Sequence, residues 1–327
     1  MKIIGIGNAL TDVLVKLKDE SLLQEMELPK GSMNLIEVDK RNYLLDRTED
    51  IEIKITTGGS ACNTLLALNE LGVHTGFIGK VGNDHYGNFF SNIIRDAGIH
   101  SHFIHEEKPS GTAMVFISPD GERTFGTYLG VAAELSASDL KQDIFSQYTH
   151  LYAEGYLVQN HELIETAMKM AKNAGLKVAL DLASYNVVEV EKDFLQHLIE
   201  NYVDILFANE QEAEALTGKQ PEEAIHIIGK TVDIAVVKVG KEGSYVLCNN
   251  ELAHVPVEEL PRVDTTAAGD YYAAGFFYGM EKECSMKECA QLGSLLAGEI
   301  IQVIGTKLSR TTWNRIHEVY KGLMFSV

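Results

Sequence analysis

The sequence predicts an α/β fold, with a mostly parallel central sheet, helices on both faces of that sheet and a small β-sheet lid. Three observations favour this fold class. Short runs rich in Val, Ile and Leu alternate with amphipathic stretches over most of the 327 residues. Several amphipathic stretches end at a glycine, the residue that most often closes a helix. Two other stretches lack this rhythm, and one of them surrounds a Pro-Asp-Gly turn that is typical of a hairpin.

The strands of the central sheet are predicted where an apolar run shows no polar alternation. Such runs occupy residues 3–7, 177–182, 205–208 and 234–238. A strand that is apolar on both faces is typical of a parallel sheet covered by helices. The covering helices are predicted at residues 61–71, 86–97, 161–173 and 221–228, and the glycines that follow them are Gly72, Gly98, Gly175 and Gly229.

The lid is predicted from residues 12–38 and 99–128. The first segment alternates polar and apolar residues without a helix long enough for a crossover between parallel strands. The second contains strands at 113–118 and 123–128 around the turn 119–122. We expect both to form a small antiparallel sheet over the carboxyl ends of the parallel strands, where open α/β sheets bind ligands. No Pro-rich or Gly/Ser-rich linker divides the chain, so residues 1–327 are predicted to be one domain.

Charge and composition narrow the possible functions. The chain carries 47 Asp and Glu against 28 Lys and Arg, a formal net charge of −19. Such a surface repels phosphate backbones and anionic lipids, so we predict neither a nucleic-acid nor a membrane partner. An anionic cofactor would need positive potential from a few basic side chains, backbone amides and a divalent metal. The four cysteines form no C-x-x-C pair and no signal peptide is recognised, which favours a cytoplasmic protein.

The strongest functional motif is Asp264-Thr265-Thr266-Ala267-Ala268-Gly269-Asp270, just before a helix-forming run. Small residues before a helix leave backbone N–H groups facing an incoming anion, and the helix dipole adds about half a positive charge. Asp270 is either a structural cap, worth about 0.3–1 kcal/mol, or a general base. An anion cradle beside a carboxylate is what phosphoryl transfer to a hydroxyl requires, because the carboxylate takes the hydroxyl proton.

Two further groups of residues suit a ligand with several hydroxyls. The segment Gly58-Gly59-Ser60-Ala61-Cys62-Asn63 opens a predicted helix. It is either an ordinary tight turn or a place where the backbone approaches a ligand and Asn63 reaches its hydroxyls. Asp12 follows the first strand, where its carboxylate can accept two hydrogen bonds from a vicinal diol.

Together these motifs resemble those of the ribokinase/PfkB family of sugar and nucleoside kinases, from Gly5 to about Ser309. Residues 264–270 are similar to the family's C-terminal signature, Asp-Thr-x-Gly-Ala-Gly-Asp. Gly58-Gly59 with Asn63, followed by Gly79-x-Val81-Gly82-x-Asp84-x-x-Gly87, is similar to its N-terminal signature. Residues 209–212 are similar to its Asn-x-x-Glu motif, and residues 239–243 to the turn that holds the nucleotide.

The resemblance implies an ATP-dependent kinase that phosphorylates a primary hydroxyl with the help of Mg²⁺, and Asp270 is its implied base. The other implied roles are an anion hole at Ala267, Ala268 and Gly269, acceptor binding by Asp12, Gly58, Gly59 and Asn63, nucleotide binding by Lys238, Gly240, Gly243 and Arg123, and organisation of Mg²⁺ and its waters by Asn209 and Glu212. Family members often bind a monovalent cation near the anion hole, which places K⁺ at the backbone of Asp264 and Thr266. Arg123 is equally consistent with a solvated charge on the hairpin.

Two residues depart from the family pattern. Ala267 stands where the signature has its first glycine, which raises a question about the geometry of the loop. Lys238 stands where many members have Thr, and it either adds a positive charge near the phosphates or alters the nucleotide preference.

The acceptor is a small molecule whose identity is only partly predicted. Segments 28–33, 120–124 and 127–130 are more similar to the adenosine-kinase-like branch than to fructose or ribose kinases. Adenosine or a related ribonucleoside is therefore favoured, with its base on Met33, Leu35 and Phe116 of the lid; ribose or another free sugar is the alternative. A non-catalytic nucleotide- or sugar-binding regulator is the rival from another class, against which the intact acidic residues argue. A homodimer is left open.

Overall fold

The computed structural model describes residues 1–324, with side chains through Gly322. Within these residues the chain forms 14 strands and 13 helices, besides short 3-10 turns. The strands are β1 (Lys2–Ile6), β2 (Leu10–Lys16), β3 (Met33–Leu35), β4 (Ile53–Thr57), β5 (His74–Gly82), β6 (His100–Glu106), β7 (Gly111–Ile117), β8 (Arg123–Tyr128), β9 (His150–Glu154), β10 (Lys177–Asp181), β11 (Ile205–Asn209), β12 (Ile234–Lys238), β13 (Ser244–Cys248) and β14 (Glu251–Val255). The helices are α1 (Ser21–Glu25), α2 (Val38–Arg47), α3 (Ser60–Glu70), α4 (His85–Asp96), α5 (Gln142–Phe145), α6 (His161–Asn173), α7 (Tyr185–Val190), α8 (Lys192–Asn201), α9 (Glu210–Thr217), α10 (Pro221–Ile228), α11 (Ala268–Glu281), α12 (Met286–Ile300) and α13 (Arg310–Met324).

The main sheet confirms the predicted fold class. Its nine strands have the order β14-β13-β12-β11-β10-β9-β1-β5-β6. Seven of them, from β12 to β6 in this order, run parallel, and only β13 and β14 are antiparallel. One apolar core joins the sheet to α3, α4 and α11–α13, and a second joins its other face to α5–α10. The predicted strands lack polar alternation because both of their faces are covered.

Glycines end several of the covering helices, as predicted. Gly72, Gly98 and Gly175 have φ values of 82°, 84° and 80° after α3, α4 and α6. This left-handed conformation strains any residue that carries a Cβ, so glycine sets where each helix stops. Gly229 differs, because it ends α10 with an ordinary φ of −68°. The Leu247 side chain packs directly against Gly229, and a Cβ on Gly229 would lie 2.4 Å from it. Glycine is therefore needed here for space and not for its φ value.

The lid sheet is the second sheet, with five strands in the order β3-β8-β7-β2-β4. The hairpin β7–β8 is antiparallel, as predicted from the turn between them. The sheet as a whole is mixed and not antiparallel, since β2 pairs parallel with β7 and β3 parallel with β8. The reason is topological: β2 leaves the main sheet directly after β1, and β7 leaves it in the same direction after β6.

The predicted lid boundaries need two corrections. Residues His100–Glu106, which we assigned to the lid, form β6 and pair parallel with β5 in the main sheet. They follow α4, so they complete a strand-helix-strand crossover. The lid in turn gains β4, which pairs antiparallel with β2. The sequence Ile53–Thr57 is short and half exposed, so its alternation is too weak to be recognised as a strand.

The two faces of the lid sheet have different surroundings. The outer face packs Val13, Val15, Met114 and Phe116 against α1 and α2. Phe116 is fully buried there, so it does not contact the cleft as we predicted. The inner face carries the alternate residues, among them Leu14, Ala113, Val115 and Phe125. Because side chains alternate along a strand, residues directly opposite Asp12 share this inner face.

None of the helices within residues 1–324 is long and apolar enough to cross a membrane.

Candidate active site

A cleft of about 1490 Å³ separates the carboxyl edge of the main sheet from the inner face of the lid sheet. Its floor carries polar residues that follow or end consecutive parallel strands. These residues are Asn8 after β1, Glu154 in β9, Asp181 in β10, Asn209 in β11 and Lys238 in β12. Its roof carries Asp12, and the start of α11 with Asp270 lies at its centre. The tertiary structure therefore gathers into one site residues that lie up to 262 positions apart in the sequence, from Asn8 to Asp270.

Asp270 is oriented by two side chains from the start of α3. Ser60 donates its hydroxyl to Oδ1 at 2.6 Å, and Asn63 donates its amide to Oδ2 at 2.9 Å. Burial raises the pKa of Asp270 to about 6, although both donors and Lys238 act to lower it. The carboxylate is thus ionised at neutral pH and close to its midpoint, which suits a general base. Asn63 also lines the cleft, so its predicted contact with the acceptor stays a prediction beside its hydrogen bond to the proposed base.

The proposed anion hole contains a strained residue. Ala267 precedes α11 with a φ of 64°, in the left-handed region that the family's glycine would occupy without strain. An L-residue in this conformation costs roughly 1–2 kcal/mol. The Ala268 N–H turns back to the Thr265 carbonyl at 3.2 Å. The N–H groups of Ala267 and Gly269 have no acceptor within the described chain. The Asp270 N–H in the same turn also has no acceptor among the described residues, so three amides are left to face an anion.

Asp12 differs from Asp270 because its carboxylate has no hydrogen-bond partner within the described part of the chain. Among residues 1–324, no group donates a hydrogen bond to its carboxylate. Burial raises the pKa of Asp12 to about 7, and the more distant charges of Arg123 and Lys307 lower it only in part. Gly58 lies directly beneath the Asp12 carboxylate, and a Cβ on Gly58 would be 2.1 Å from Asp12 Oδ1. The glycine thus makes room for a carboxylate whose hydrogen bonds remain to be made.

Glu154 is a further acid of the floor, and our sequence analysis did not single it out. Its carboxylate accepts hydrogen bonds from the backbone and amide nitrogens of Asn8, both at 2.8 Å, and from Ala61 N at 3.1 Å. Burial nevertheless raises the pKa of Glu154 to about 7. These bonds join the loop after β1 to the start of α3, so Glu154 fixes the segment that carries Ser60 and Asn63.

Asn209 and Glu212 form a capping box at the start of α9. The Glu212 carboxylate accepts from the Asn209 backbone and amide nitrogens, and Glu212 N donates to Asn209 Oδ1, all at 2.8 Å. Each Glu212 carboxylate oxygen already accepts one hydrogen bond and keeps a lone pair that can accept from water. The carboxylate is therefore not free to bind a metal ion through both oxygens. No group of three or more His, Cys, Asp or Glu within residues 1–324 has metal-binding geometry. The residues fit Mg²⁺ held through waters and the phosphates of a nucleotide.

The turn after β12 carries the two glycines that we predicted to hold the nucleotide, and that role stays a prediction. Gly240 and Gly243 have φ values of 53° and 97°, and both line the cleft. A Cβ on Gly243 would lie 1.9 Å from the Val255 carbonyl oxygen, so only glycine permits this turn. Lys238 precedes the turn, and its ammonium pairs with Asp181 Oδ2 at 3.0 Å. Burial alone would lower the pKa of Lys238, but Asp181 and Glu212 outweigh it and the pKa is raised.

Arg123 connects the lid to the loop before α11. Its guanidinium pairs with Asp264 Oδ2 at 2.8 Å and donates to Thr266 Oγ1 at 3.3 Å. Asp264 also accepts from Thr266 N at 3.0 Å and from Gly305 N at 2.8 Å. The Asp264 carboxylate is thus already neutralised and does not fit a cation ligand. A K⁺ at this loop would depend on backbone oxygens, and that site stays a prediction.

Part of the N-terminal signature has a structural role outside the cleft. Asp84 caps α4 by accepting from Gly87 N at 2.8 Å, and it also accepts from Ser110 N at 2.8 Å and Ser110 Oγ at 2.6 Å. A Cβ on Gly87 would lie 2.1 Å from the Gly82 carbonyl oxygen. These residues join α4 to the start of β7 and so fix where the lid leaves the main sheet.

Sequence reasoning missed Glu154, Asp181 and Ser60 as site residues. A signal was present for the first two, because each is the acidic last residue of an apolar strand, and strand ends meet at the ligand-binding edge. Ser60 lies within the glycine motif that we quoted, but its hydrogen bond to Asp270 spans 210 residues. Such a partner follows from the tertiary structure alone.

The fold, the unpaired N–H groups at the start of α11 and the adjacent carboxylate are the features of a phosphotransferase that uses an alcohol group as acceptor. The family model of pfkB family carbohydrate kinase matches residues 31–313, and the chain belongs to this family of sugar and nucleoside kinases. Kinases of this kind use ATP with Mg²⁺.

Relatives agree with this assignment. A crystal structure of adenosine kinase from Sinorhizobium meliloti superposes with a TM-score of 0.86 at 34% identity, covering 97% of this chain and 99% of that one. A probable sugar kinase from Rhizobium etli gives 0.84 at 30% identity, covering 97% and 98%. An uncharacterized sugar kinase from Archaeoglobus fulgidus is 28% identical over 74% of this chain and 97% of its own length. The chain thus falls in the adenosine-kinase-like branch.

Proposed function

We propose that the protein transfers the γ-phosphoryl group of ATP to the primary hydroxyl of adenosine or a related ribonucleoside. The observation that carries the nucleoside assignment is the inner face of the lid sheet. Asp12 pairs with Ala113, Ala113 with Thr127 and Thr127 with Leu35, so these four residues form one row across the roof. The row runs from an unpaired carboxylate to an exposed leucine. A ligand that fills it needs a diol at one end and an apolar group at the other.

The length of the roof also favours a nucleoside. The neighbouring row carries Phe125 and Met33 at its far end, beside Leu35. Adjacent strands are about 4.8 Å apart, so β8 lies roughly 10 Å from β2 and β3 lies farther still. A free pentose bound by Asp12 leaves this apolar end uncovered. Met33 and Leu35, which are 61% and 67% exposed, offer a surface for a planar base.

The other side chains supply the chemistry. Asp270 accepts the proton of the attacking hydroxyl, while Ser60 and Asn63 keep its carboxylate in place. The amides of Ala267 and Gly269, with Ala268 in the same turn, face the transferred phosphoryl oxygens. Gly58 makes room for the Asp12 carboxylate, and Gly59 lets the acceptor approach the backbone of the cleft. Lys238, Gly240 and Gly243 hold the nucleotide, while Arg123 acts on the loop before α11 through Asp264 and Thr266. Bound Mg²⁺, organised by Asn209 and Glu212, would offset phosphate charge. Positioning and electrostatics provide the rate enhancement, since no covalent bond to the protein is needed.

Similarity supports the same acceptor, because the relative at 34% identity is an adenosine kinase. Ribose or another free sugar remains the alternative, since the other two relatives are described as sugar kinases. A K⁺ ion at the Asp264 and Thr266 backbone, a cytoplasmic location and a homodimer stay predictions.

A turnover panel tests the proposal. ATP consumption is measured with adenosine, other ribonucleosides, 2′-deoxyadenosine, ribose and fructose. We expect the highest kcat/KM with a ribonucleoside, and a loss of at least tenfold for 2′-deoxyadenosine, which has only half of the diol. Faster turnover of ribose would replace the nucleoside assignment with the sugar-kinase alternative.

Amide exchange gives a second test on the same molecule. A ligand shifts lid closure only by its differential affinity for the closed state. Adenosine should therefore slow exchange in β3 and β8 strongly, and ribose at matched saturation should slow it much less. β10, which lies in the main sheet, serves as the internal control. Equal protection by both ligands would contradict the nucleoside assignment.

A further inference from the structure

We infer that Asp181 is a positioning residue, which holds the Lys238 ammonium against the anion hole so that Lys238 contacts the phosphoryl group during transfer. This inference rests on the proposed phosphoryl transfer and deepens it, because it assigns a role to Asp181 and a specific contact to Lys238.

The two residues lie at the same edge of the main sheet. Asp181 ends β10 and Lys238 ends β12, with β11 between them. Two strand spacings make a gap of roughly 10 Å between the backbones. The long lysine side chain crosses this gap and places Nζ 3.0 Å from Asp181 Oδ2. Both side chains are largely covered, with 15% of Lys238 and 6% of Asp181 exposed.

Asp181 is itself held in place. Its Oδ1 accepts a hydrogen bond from Ala183 N at 3.1 Å, and Ala183 has a φ of 61°. Leu182, which lies between Asp181 and Ala183, donates its N–H to the Phe207 carbonyl at 3.0 Å. A non-glycine residue in the left-handed region is uncommon and often marks a functional constraint. One carboxylate oxygen is thus fixed by the turn, and the other is directed at the ammonium.

The ammonium lies at the anion hole. A Cβ built on Gly269 would be 3.1 Å from Lys238 Nζ, so the charge sits against the backbone that faces the phosphoryl group. Three acids act on it electrostatically, namely Asp181, Glu212 and Asp270, but only Asp181 is hydrogen-bonded to it. An ammonium has three N–H donors. With one donated to Asp181, two are free for phosphoryl oxygens.

The role matters because the cleft is strongly acidic. Asp12, Glu154, Asp181, Glu212 and Asp270 all line it. An anionic phosphoryl group enters this field only if cations offset it, and Lys238 is a cation that the chain supplies itself. The alternative is a buried ion pair that serves stability alone, which is a common outcome for such pairs. The two possibilities differ in their effect on kcat.

A double-mutant cycle separates them. The variants are Asp181→Asn, Lys238→Met and the double variant, each measured at saturating ATP and acceptor. We expect each single substitution to lower kcat at least tenfold while the acceptor KM changes less than threefold. The double variant should be no slower than Lys238→Met alone, because Asp181 acts only through Lys238. Lys238→Arg, which keeps the charge, should recover part of the loss.

Lys172 provides the matched structural control. It pairs with Asp204 at 2.8 Å on the outside of the main sheet, away from the cleft, and Asp204 is well covered. Lys172→Met should lower Tm and leave kcat within twofold of the wild type. If Asp181→Asn behaves like this control, or if the losses in the double variant multiply, the inference is wrong. If a methionine variant does not fold, Asp181→Glu and Lys238→Arg replace it, and unchanged kcat in both would also overturn the inference.

Failure of the proposed function would look different. In that case the wild-type protein would phosphorylate no ribonucleoside or sugar hydroxyl. The double-mutant cycle would then have no wild-type kcat with which to compare the variants. A wild type that turns over ribose only leaves the inference about Asp181 intact, because Lys238 faces the phosphoryl group and not the acceptor.

Discussion

The floor and the roof of the cleft each carry a carboxylate, but the two are prepared differently. Asp270 on the floor already accepts two hydrogen bonds, from Ser60 and Asn63. Asp12 on the roof accepts none within residues 1–324, although its pKa is raised to about 7 by burial. The floor belongs to the main sheet and its large cores, whereas the roof belongs to a five-stranded sheet.

This difference indicates a division of labour. A base must be aligned before the hydroxyl arrives, so its partners come from the protein. A recognition group is complete only when the ligand supplies its partners, and a half-buried carboxylate without hydrogen-bond donors costs stability until then. Under the proposed function, the floor would be preassembled for chemistry and the roof would be completed by the bound acceptor.

Replacement of Asp270 should have the largest effect on rate. Asp270→Asn removes the proton acceptor while keeping the shape, so kcat should fall by about 10²–10⁴-fold, the usual span for a general base. The KM for ATP should change little, because the anion hole is mostly backbone. Asp96→Asn, on the exposed end of α4, is the control. Steady-state rates that stay above a tenth of the wild type, with chemistry rate-limiting, would remove Asp270 as the base.

Replacement of Asp12 should act on the acceptor instead. A hydrogen bond to a charged group contributes about 1.5–3 kcal/mol, so Asp12→Ala should raise the acceptor KM at least tenfold. The KM for ATP should stay nearly constant. The exposed Asp46 on α2 of the lid provides the control variant Asp46→Ala. An equal rise in both KM values would mean that Asp12 supports the fold and not the diol.

The pH dependence should separate the two carboxylates. Each acts as an anion, so activity is lost as the pH falls through its pKa. The kcat/KM for the acceptor reports the free protein and should fall below about pH 7 with Asp12, then more steeply below about pH 6 with Asp270. A bound diol donates to Asp12 and lowers its pKa. The pH profile of kcat should therefore lack the fall near pH 7 and keep only the fall near pH 6.

The control for this profile is Asp12→Asn, since Glu154 and Glu212 also have pKa values raised to about 7 by burial. If kcat/KM of Asp12→Asn still falls near pH 7, the titration of Glu154 or Glu212 on the floor controls that fall. The assignment of the fall to Asp12 on the roof would then be wrong.

Stability of the ligand-free protein provides the smallest effect. The folded pKa of Asp12 is raised, so the folded state binds the proton more tightly and stability falls as pH rises from about 4 to 7. At pH 8, Asp12→Asn should therefore raise Tm by about 2–4 °C, the shift for roughly 1 kcal/mol. The gain should be smaller at pH 5.5.

Asp270→Asn should not show this gain. Its new amide N–H would face one of the two donors, Ser60 or Asn63, and lose a hydrogen bond. Thermal unfolding of both variants at the two pH values checks the contrast. A higher Tm for Asp270→Asn than for Asp12→Asn would show that the floor, not the roof, carries the unpaired charge.

The sequence predicted the fold class well because burial leaves a local mark. Strands covered on both faces lack polar alternation, and left-handed glycines follow α3, α4, α6 and α9. The sequence was weaker for the lid. β4 is too short and exposed to show alternation, and Phe116 differs from Phe125 only in which face of the sheet it occupies. That face is set by pairing with distant strands.

The sequence by itself determined the parallel sheet, the small residues at the start of α11 and the glycine turn after β12, since each depends on residues that are adjacent in the chain. Only the tertiary structure decided which side chains meet. Asp270 meets Ser60 across 210 residues, and Lys238 meets Asp181 across 57. Arg123 of the lid meets Asp264 before α11. The physical reason is that a hydrogen bond or ion pair depends on distance in space, and neither partner alters the local pattern around the other.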